Sequence, residues 1–204
     1  LWDSTSGRGR AALTGHEDVI TSAVFSPNGR LIATASSDHT ARIWDSRSGR
    51  CLMVLQGHRL GLNSVAFFAD GRRVVTASDD HSAKIWDADS GKVLVSMDEH
   101  GGPVLAAVAG PDGATLATVS ADREARIWDA QSGRPVMRLS GHEGPVHQAA
   151  FRADGKFLAT AGADNARLWD LTTGQESAVL AEGLAPVNAV HFSADGAWVA
   201  TASS

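Results

Sequence analysis

The fold class follows from one stretch, Ser36-Ser37-Asp38-His39-Thr40-Ala41-Arg42-Ile43-Trp44-Asp45, because close copies of it recur along the chain. The copies occupy 78–87, 120–129 and 162–170. Trp-Asp pairs begin at Trp2, Trp44, Trp86, Trp128 and Trp169, so their spacings are 42, 42, 42 and 41 residues. A period near this length is typical of arrays of small β-sheets.

Each period contains four strand signals separated by turn signals. In the copy that holds the quoted stretch, residues 19–25 alternate around small side chains and end at Pro27-Asn28-Gly29. Residues 31–36, the segment that ends at Trp44, and residues 51–55 follow as further apolar runs. An Asn-Gly or Asp-Gly pair recurs at the first turn, and such pairs tolerate the left-handed backbone of tight hairpins. The sequence therefore predicts an all-β fold with four short antiparallel strands in each period.

The chain shows no linker, low-complexity run or change of composition, so we predict one domain over residues 1–204. Its repeat units are approximately 1–13, 14–55, 56–97, 98–139, 140–180 and 181–204. A four-stranded sheet of this size cannot bury both of its faces alone, so successive sheets must stack. Radial stacking of such sheets produces a β-propeller.

Composition narrows the classes of protein. The 204 residues are 43% hydrophobic and 20% charged, which is typical of a globular protein with a sizeable core. The net charge of −5 favours neither a nucleic-acid partner nor a membrane surface. Cys51 is the single cysteine, so no intrachain disulfide can form, and we expect a cytoplasmic protein. Arg greatly outnumbers Lys, which favours a bacterial source, and the start at Leu1 predicts a piece of a longer chain.

The repeated motifs resemble the WD-repeat (WD40) β-propeller family over the whole chain. Gly-His pairs stand at Gly15-His16, Gly57-His58 and Gly141-His142, and each is followed by Thr, Asp and Trp-Asp at fixed offsets. The resemblance implies four complete four-stranded blades with partial blades at both ends. Three ways of completing the ring stay open: a closed ring of five blades, part of a larger ring, commonly of seven blades in this family, or association of copies.

A set of His, Thr, Asp and Trp recurs in four units. It consists of His16, Thr34, Asp38, Trp44; His58, Thr76, Asp80, Trp86; His100, Thr118, Asp122, Trp128; and His142, Thr160, Asp164, Trp169. A hydroxyl, an imidazole and a carboxylate could serve nucleophilic catalysis. However, an active site is normally unique, and the resemblance implies a structural hydrogen-bonded tetrad. We therefore predict no catalytic residue and no enzyme activity.

Metal and cofactor sites have no sequence support. His142 and His147 are five residues apart, and His39 and His81 are a full period apart, which matches no common ligand spacing. We therefore predict neither a metal site nor a cofactor.

Three departures from the repeat carry expectations. Ala109 stands where other units have Phe25, Phe67, Phe151 and Phe192, so packing must compensate or a void remains. One residue is missing between Asp164 and Trp169, so we expect that tetrad to be disturbed. Gly183 replaces the histidine in the last unit, so we expect less regular blades near this end of the chain.

The resemblance also implies a partner-binding surface, which we name the candidate face. In this family, ligand peptides usually bind where the innermost strand begins and at the turn before the tetrad Asp. The corresponding residues are Val19, Thr21, Ser37, Gly61, Asn63, Asp79, Pro103, Leu105, Ala121, Pro145, His147, Ala163, Pro186 and Asn188. They include no Trp, Tyr or Arg, which usually dominate binding energy, so the alternative is that they are unspecialised loop residues.

These observations predict a non-catalytic scaffold or sensor that binds a protein or peptide, within a larger bacterial signalling protein such as a kinase or NTPase. One alternative is a designed or excised propeller fragment without a partner of its own. Another is an enzyme or small-ligand binder that uses the central channel. A unique cluster of polar residues in the channel would favour this last alternative, whereas the polar sets in this sequence are repeated.

Overall fold

The computed structural model describes residues 1–180 and 186–203. Its strands form five antiparallel sheets, and the described residues contain no α-helix. Sheet 1 consists of β1 (Ile20–Phe25), β2 (Leu31–Ser36), β3 (Thr40–Asp45) and β4 (Cys51–Gln56). Sheet 2 consists of β5 (Leu62–Phe67), β6 (Arg73–Ser78), β7 (Ala83–Asp87) and β8 (Val93–Met97).

The remaining strands repeat this order. Sheet 3 consists of β9 (Val104–Ala109), β10 (Thr115–Ser120), β11 (Glu124–Asp129) and β12 (Pro135–Ser140). Sheet 4 consists of β13 (Val146–Phe151), β14 (Phe157–Gly162), β15 (Ala166–Asp170) and β16 (Gln175–Val179). Sheet 5 contains β17 (Val187–Phe192) and β18 (Val199–Ser203), and Trp2 and Gly9 form an isolated antiparallel bridge near the first residue.

The first strands of successive sheets contact one another, as β1 contacts β5 and β5 contacts β9. They are therefore the innermost strands, and the fourth strands lie outermost. This confirms the predicted fold of propeller blades, although the sheets do not form a closed ring. Gly183, where the sequence predicted a less regular blade, lies outside the described residues. No helix in the described part of the chain is long and apolar enough to cross a membrane.

Buried side chains of different sizes fill the space between neighbouring sheets. Strand β2 carries the buried Ala33 beside Ile32, and β3 carries the buried Ala41 beside Ile43 and Trp44. Large and small side chains on both strands therefore pack together at the density of a protein core.

The missing aromatic at Ala109 is compensated by packing. Ala109 packs against the core cluster between sheets 2 and 3, and Phe68, immediately after β5, is a fully buried member of that cluster. The residues that correspond to Phe68 in the other sheets are Ser26, Gly110, Arg152 and Ser193. Only this interface therefore has a Phe at this position, and the ring of Phe68 supplies the aromatic volume that Ala109 lacks.

Candidate functional site

The four predicted tetrads are assembled in four equivalent places. In sheets 1 to 4 the His Nδ1 lies 2.7, 2.9, 2.8 and 2.7 Å from an Asp carboxylate oxygen. The His Nε2 lies 2.7, 2.8, 2.7 and 2.7 Å from the Thr hydroxyl. The Trp indole N–H donates to the same hydroxyl over 2.9, 2.8, 2.7 and 2.9 Å. Each tetrad thereby joins the second and third strands to the loop before the innermost strand of the same sheet.

The order of donors in the tetrad determines the state of the histidine. Thr76 Oγ1 accepts from the indole of Trp86, so its own hydrogen is free to be donated to Nε2 of His58. Nδ1 of His58 then carries the ring hydrogen and donates it to Asp80. A neutral histidine with its hydrogen on Nδ1 therefore satisfies every group in the chain of hydrogen bonds.

Burial and hydrogen bonds favour the same protonation states. Burial lowers the pKa of His58 because it disfavours the charged ring, although Asp80 opposes the shift, and the pKa values of His100 and His142 are lowered in the same way. Desolvation tends to raise the pKa of Asp80, but hydrogen bonds from the Ser82 hydroxyl, a backbone N–H and His58 outweigh it and hold the pKa below its usual range. Each of these tetrads thus pairs a neutral imidazole with an ionised carboxylate at neutral pH.

The carboxylate also organises the loop that precedes the innermost strand. Asp80 accepts a hydrogen bond from the backbone N–H of Arg59 at 2.9 Å, and the residue after the histidine makes the same bond in sheets 1, 3 and 4. Asp38, Asp122 and Asp164 have lowered pKa values, and that of Asp164 falls to about 2. The ionised Asp therefore connects the turn after the second strand to the loop before the innermost strand through hydrogen bonds.

The shortened turn in sheet 4 does not separate the tetrad. His142, Thr160, Asp164 and Trp169 keep the distances found elsewhere. The difference is local: Asp164 also accepts a bond from Arg167 Nη2 at 3.3 Å. At the corresponding turn the other sheets place His39, His81 and Arg123 at positive φ, whereas Asn165 needs no such strain.

The tetrads offer no accessible nucleophile. Thr76, Thr118 and Thr160 are 0% exposed, so a substrate atom cannot approach the hydroxyl. Each hydroxyl also accepts the indole N–H, which makes it part of a closed network. Among residues 1–180 and 186–203, no group of three or more His, Cys, Asp or Glu side chains could hold a metal ion. The arrangement can stabilise a sheet and position a loop.

The residues of the candidate face meet in pairs at one end of each sheet. The backbone N–H of Ser37 donates to the carbonyl of Val19 at 2.9 Å. Equivalent bonds join Asp79 to Gly61, Ala121 to Pro103 and Ala163 to Pro145. Pro186 and Asn188 are exposed at the same end of sheet 5. The turn and the start of the innermost strand thus form one continuous surface within each sheet.

The second position of each set lies at a β-bulge. The ladder between the first and second strands shifts register at Thr21, Asn63, Leu105, His147 and Asn188. A bulge leaves one residue out of the ladder and redirects its side chain. The sequence located these residues by position, but it could not indicate the bulge.

Thr21 and Asn63 already make hydrogen bonds between sheets. Thr21 Oγ1 donates to the carbonyl of Leu62 at 2.7 Å, and Asn63 Nδ2 donates to that of Val104 at 3.0 Å. Asn63 also donates to the Asp79 carboxylate at 2.7 Å. These side chains therefore join neighbouring sheets, and their donor groups are not free for a partner.

A second series of bulges, in the outermost strands, was not anticipated. The ladder between the third and fourth strands shifts at Leu52, Leu94, Val136 and Ser177. Leu52, Leu94 and Val136 are 49%, 52% and 58% exposed. Their 42-residue spacing was the available signal. Leu94 borders a groove of about 460 Å³ between sheets 2 and 3, together with Arg73 and Asp129.

The repeats match a known family across the chain. The model of the WD domain, G-beta repeat (WD40), matches residues 8–45, 49–87, 91–129, 133–170 and 175–204. The chain belongs to the WD40 repeat family. A comparison with curated protein sequences found no significant match. WD40 repeats generally mediate protein–protein interactions and are typically non-catalytic.

The bounds of the WD40 matches differ from those of the sheets. The match over 49–87 includes β4, the outermost strand of sheet 1, and then β5 to β7 of sheet 2. Each such repeat therefore contributes strands to two neighbouring sheets and links them covalently.

Proposed function

We propose that this WD40 array is a non-catalytic scaffold that binds a protein or peptide partner on the candidate face. The supporting observation is a contrast within the repeats. The buried tetrad has the same four residue types in sheets 1 to 4, whereas the bulge position changes from Thr21 to Asn63, Leu105, His147 and Asn188. The tetrad residues that stabilise each sheet are repeated, whereas the bulge residues at one end of the sheets differ. This is expected of a recognition surface on a regular repeat structure.

The later sheets are the best candidates for contact with the partner. Thr21 and Asn63 bond the next sheet, whereas Leu105 and His147 make no side-chain hydrogen bond to the described residues. Pro145 is exposed beside His147. An apolar side chain, an imidazole and a proline on neighbouring sheets suit a peptide that carries both apolar and polar groups.

The wider setting of the proposal is a cytoplasmic bacterial signalling protein, for instance a kinase or an NTPase, in which the array recognises a partner. Its support is limited to composition: Arg-rich basic residues and the single Cys51.

The test is site-specific photo-crosslinking of the 204-residue chain in extracts of its source cells. A photo-reactive amino acid replaces Leu105 or His147 in the test proteins. In the control it replaces Gln131, an exposed residue in the turn between β11 and β12 at the other end of sheet 3. We expect both test positions to capture the same protein and the control position not to capture it.

A double variant, Leu105→Ala with His147→Ala, supplies the second readout. It should reduce recovery of that protein by about tenfold, while Gln131→Ala leaves recovery unchanged. Equal capture from Gln131, or full recovery by the double variant, would contradict the assignment of the candidate face.

A further inference from the structure

The third strand of sheets 1 to 4 carries one cation directly opposite the tetrad threonine. The pairs in register are Thr34 with Arg42, Thr76 with Lys84, Thr118 with Arg126, and Thr160 with Arg167. The cation therefore occupies the same backbone position in four sheets. Its hydrogen-bond and ion-pair partners differ from sheet to sheet.

Three of these cations have polar partners within their own sheet. Lys84 Nζ donates to Ser96 Oγ at 2.8 Å. Arg126 forms ion pairs with Glu99 at 3.4 Å and Glu124 at 3.1 Å. In sheet 4, the pairs join Arg167 to Asp164 and Glu176. Both arginines of this group are thus neutralised by carboxylates of the chain itself.

Arg42 has no such partner among the described residues. Its Nε is buried without a hydrogen bond, as is Nε of Arg126. The difference lies in the terminal nitrogens: both of those of Arg126 donate to glutamates, whereas neither of those of Arg42 takes part in a hydrogen bond or ion pair with the described residues. The guanidinium lies 6.0 Å from the ring centroid of Trp44 and so close to Gly15 that a Cβ there would collide with it. The buried Nε has lost water without gaining a hydrogen-bond acceptor, whereas the terminal nitrogens keep contact with solvent and can receive an acceptor from outside the chain.

The sequence of sheet 1 explains the missing carboxylate. Gly15 stands where sheet 3 has Glu99, and Thr40 stands where it has Glu124. Cys51, which lies opposite Trp44, takes the place of Glu176 opposite Trp169. The positions that supply glutamates to the equivalent arginines are therefore all neutral around Arg42. The position of Asp164 is Asp38 in sheet 1, but Asp38 bonds His16 and Thr40 and forms no ion pair with Arg42 in the described residues.

The surface beside Arg42 is apolar. Val54 lies opposite Arg42 in register and is 41% exposed, and Leu52 is the bulged residue of the outermost strand β4. The bulge interrupts the free edge of β4, which disfavours binding through addition of another strand. A ligand at this position is therefore recognised through side chains.

We propose that Arg42 binds a carboxylate of an acidic segment from a protein partner, while Val54 and Leu52 contact an apolar side chain of the same segment. The carboxylate is chosen because glutamates occupy the equivalent space in sheets 3 and 4, and because a guanidinium fits a carboxylate with two hydrogen bonds. That the carboxylate belongs to a protein rests on the proposed function; the anion site itself does not.

The first experiment follows the terminal Nη–H signals of the arginine side chains by NMR while acetate replaces chloride at constant ionic strength. Arg42→Lys identifies the signal of Arg42. We expect a saturable shift of this signal, with changes at Arg126 and Arg167 smaller by about fivefold, because their terminal nitrogens already donate to carboxylates. No saturable shift, or equal shifts at all three arginines, would overturn the proposal.

Two variants copied from the chain's own repeats sharpen this experiment. Thr40→Glu introduces the glutamate of sheet 3 into sheet 1 and should abolish the acetate response of Arg42 by supplying an internal carboxylate. The reciprocal double variant, Glu99→Gly with Glu124→Thr, should make Arg126 respond to acetate. An unchanged response of Arg42 in Thr40→Glu would contradict the proposed site even if the double variant fails to fold.

Further arms define the class of ligand. Inorganic phosphate should shift the Arg42 signal no more strongly than acetate; tighter binding of phosphate would overturn the assignment to a carboxylate. A labelled pentapeptide of alternating leucine and glutamate should bind about tenfold more tightly than its leucine–glutamine counterpart, and Arg42→Gln should remove the difference. Equal binding of the two peptides would refute an acidic segment, while leaving the crosslinking test of the candidate face unaffected.

Discussion

The threonine of each tetrad connects the histidine to the tryptophan through its hydroxyl group. Thr76 accepts the indole N–H of Trp86 and donates to His58, and all three side chains are buried. The removal of this hydroxyl leaves two buried polar groups without a partner. Such a loss costs more than the hydrogen bond itself, because the unpaired groups keep their desolvation penalty.

Thr76→Val should therefore lower the free energy of unfolding by about 2–4 kcal/mol, measured by urea denaturation. The matched control is Thr201→Val. Thr201 occupies the same position in β18, opposite Val190, but it is exposed and makes no side-chain hydrogen bond to the described residues. A similar loss in both variants would show that the tetrad contributes nothing specific.

The tetrad histidines make stability depend on pH. The pKa values of His58, His100 and His142 are lower in the folded protein, so the unfolded chain binds more protons below about pH 6.5. Stability is then fully present above this pH and decreases on acidification. Protonation of the tetrad aspartates, whose pKa values are also lowered, continues the loss at still lower pH.

We expect the urea midpoint to fall between about pH 8 and about pH 5.5. His39→Asn and His81→Asn alter exposed turn residues and should leave this pH dependence unchanged. A midpoint that is constant over the range would mean that the folded and unfolded states bind equal numbers of protons.

At the scale of the elements, the interfaces between sheets use different chemistry at and beside the bulge positions. Thr21 joins sheets 1 and 2, and Asn63 joins sheets 2 and 3 through a backbone carbonyl. Gln148, one residue after the bulge position of sheet 4, joins sheets 4 and 5 by accepting the backbone N–H of Val190 at 2.8 Å. Between sheets 3 and 4 the corresponding bulge residue is Leu105, which cannot make such a bond. A regular backbone therefore accommodates several ways of joining adjacent blades.

The interface between sheets 2 and 3 depends most on a single side chain. Phe68→Ala should lower the free energy of unfolding by about 3–5 kcal/mol, because the small Ala109 leaves nothing to fill the resulting cavity. Phe25→Ala is the control, since Phe25 is 60% exposed and its removal should cost little. Equal effects of the two substitutions in denaturation experiments would show that Phe68 does not replace the missing aromatic.

Across the whole molecule, the tryptophan side chains fall into a buried group and an exposed group. Trp44, Trp86, Trp128 and Trp169 are at most 2% exposed, whereas Trp2 and Trp198 are 78% and 75% exposed. The first group belongs to the tetrads, and the second lies beside Gly9 and at the turn into β18. The two groups differ enough in exposure to be separated by a soluble quencher.

Iodide should quench only part of the tryptophan fluorescence, and Trp2→Phe combined with Trp198→Phe should remove that part. Trp44→Phe is the comparison, because it removes a buried emitter and should leave the quenchable part in place. If iodide quenched almost none of the fluorescence of the unaltered chain, Trp2 and Trp198 would be covered in solution. Self-association would then be the explanation to test by measuring the mass of the particle.

The parts of the site that could be predicted are those whose residues repeat along the sequence. The tetrads could be predicted because four copies of His16, Thr34, Asp38 and Trp44 recur at fixed spacing, and chance does not produce such a pattern. The candidate face could be located only by position. The bulges at Leu105 and His147 could not be predicted, because a bulge is defined by the pairing of two strands and neither strand shows it alone.

Sequence alone determined the repeat, the all-β architecture and the tetrad residues of this WD40 protein, because each of these depends on residue types at a constant spacing. The contacts that individual side chains make were determined only by the tertiary structure. It places Asn63 in a bond between sheets and Phe68 in the space left by Ala109, and it leaves Arg42 without the carboxylate that Arg126 has. These outcomes depend on contacts between side chains that are distant along the chain, and no local spacing contains that information.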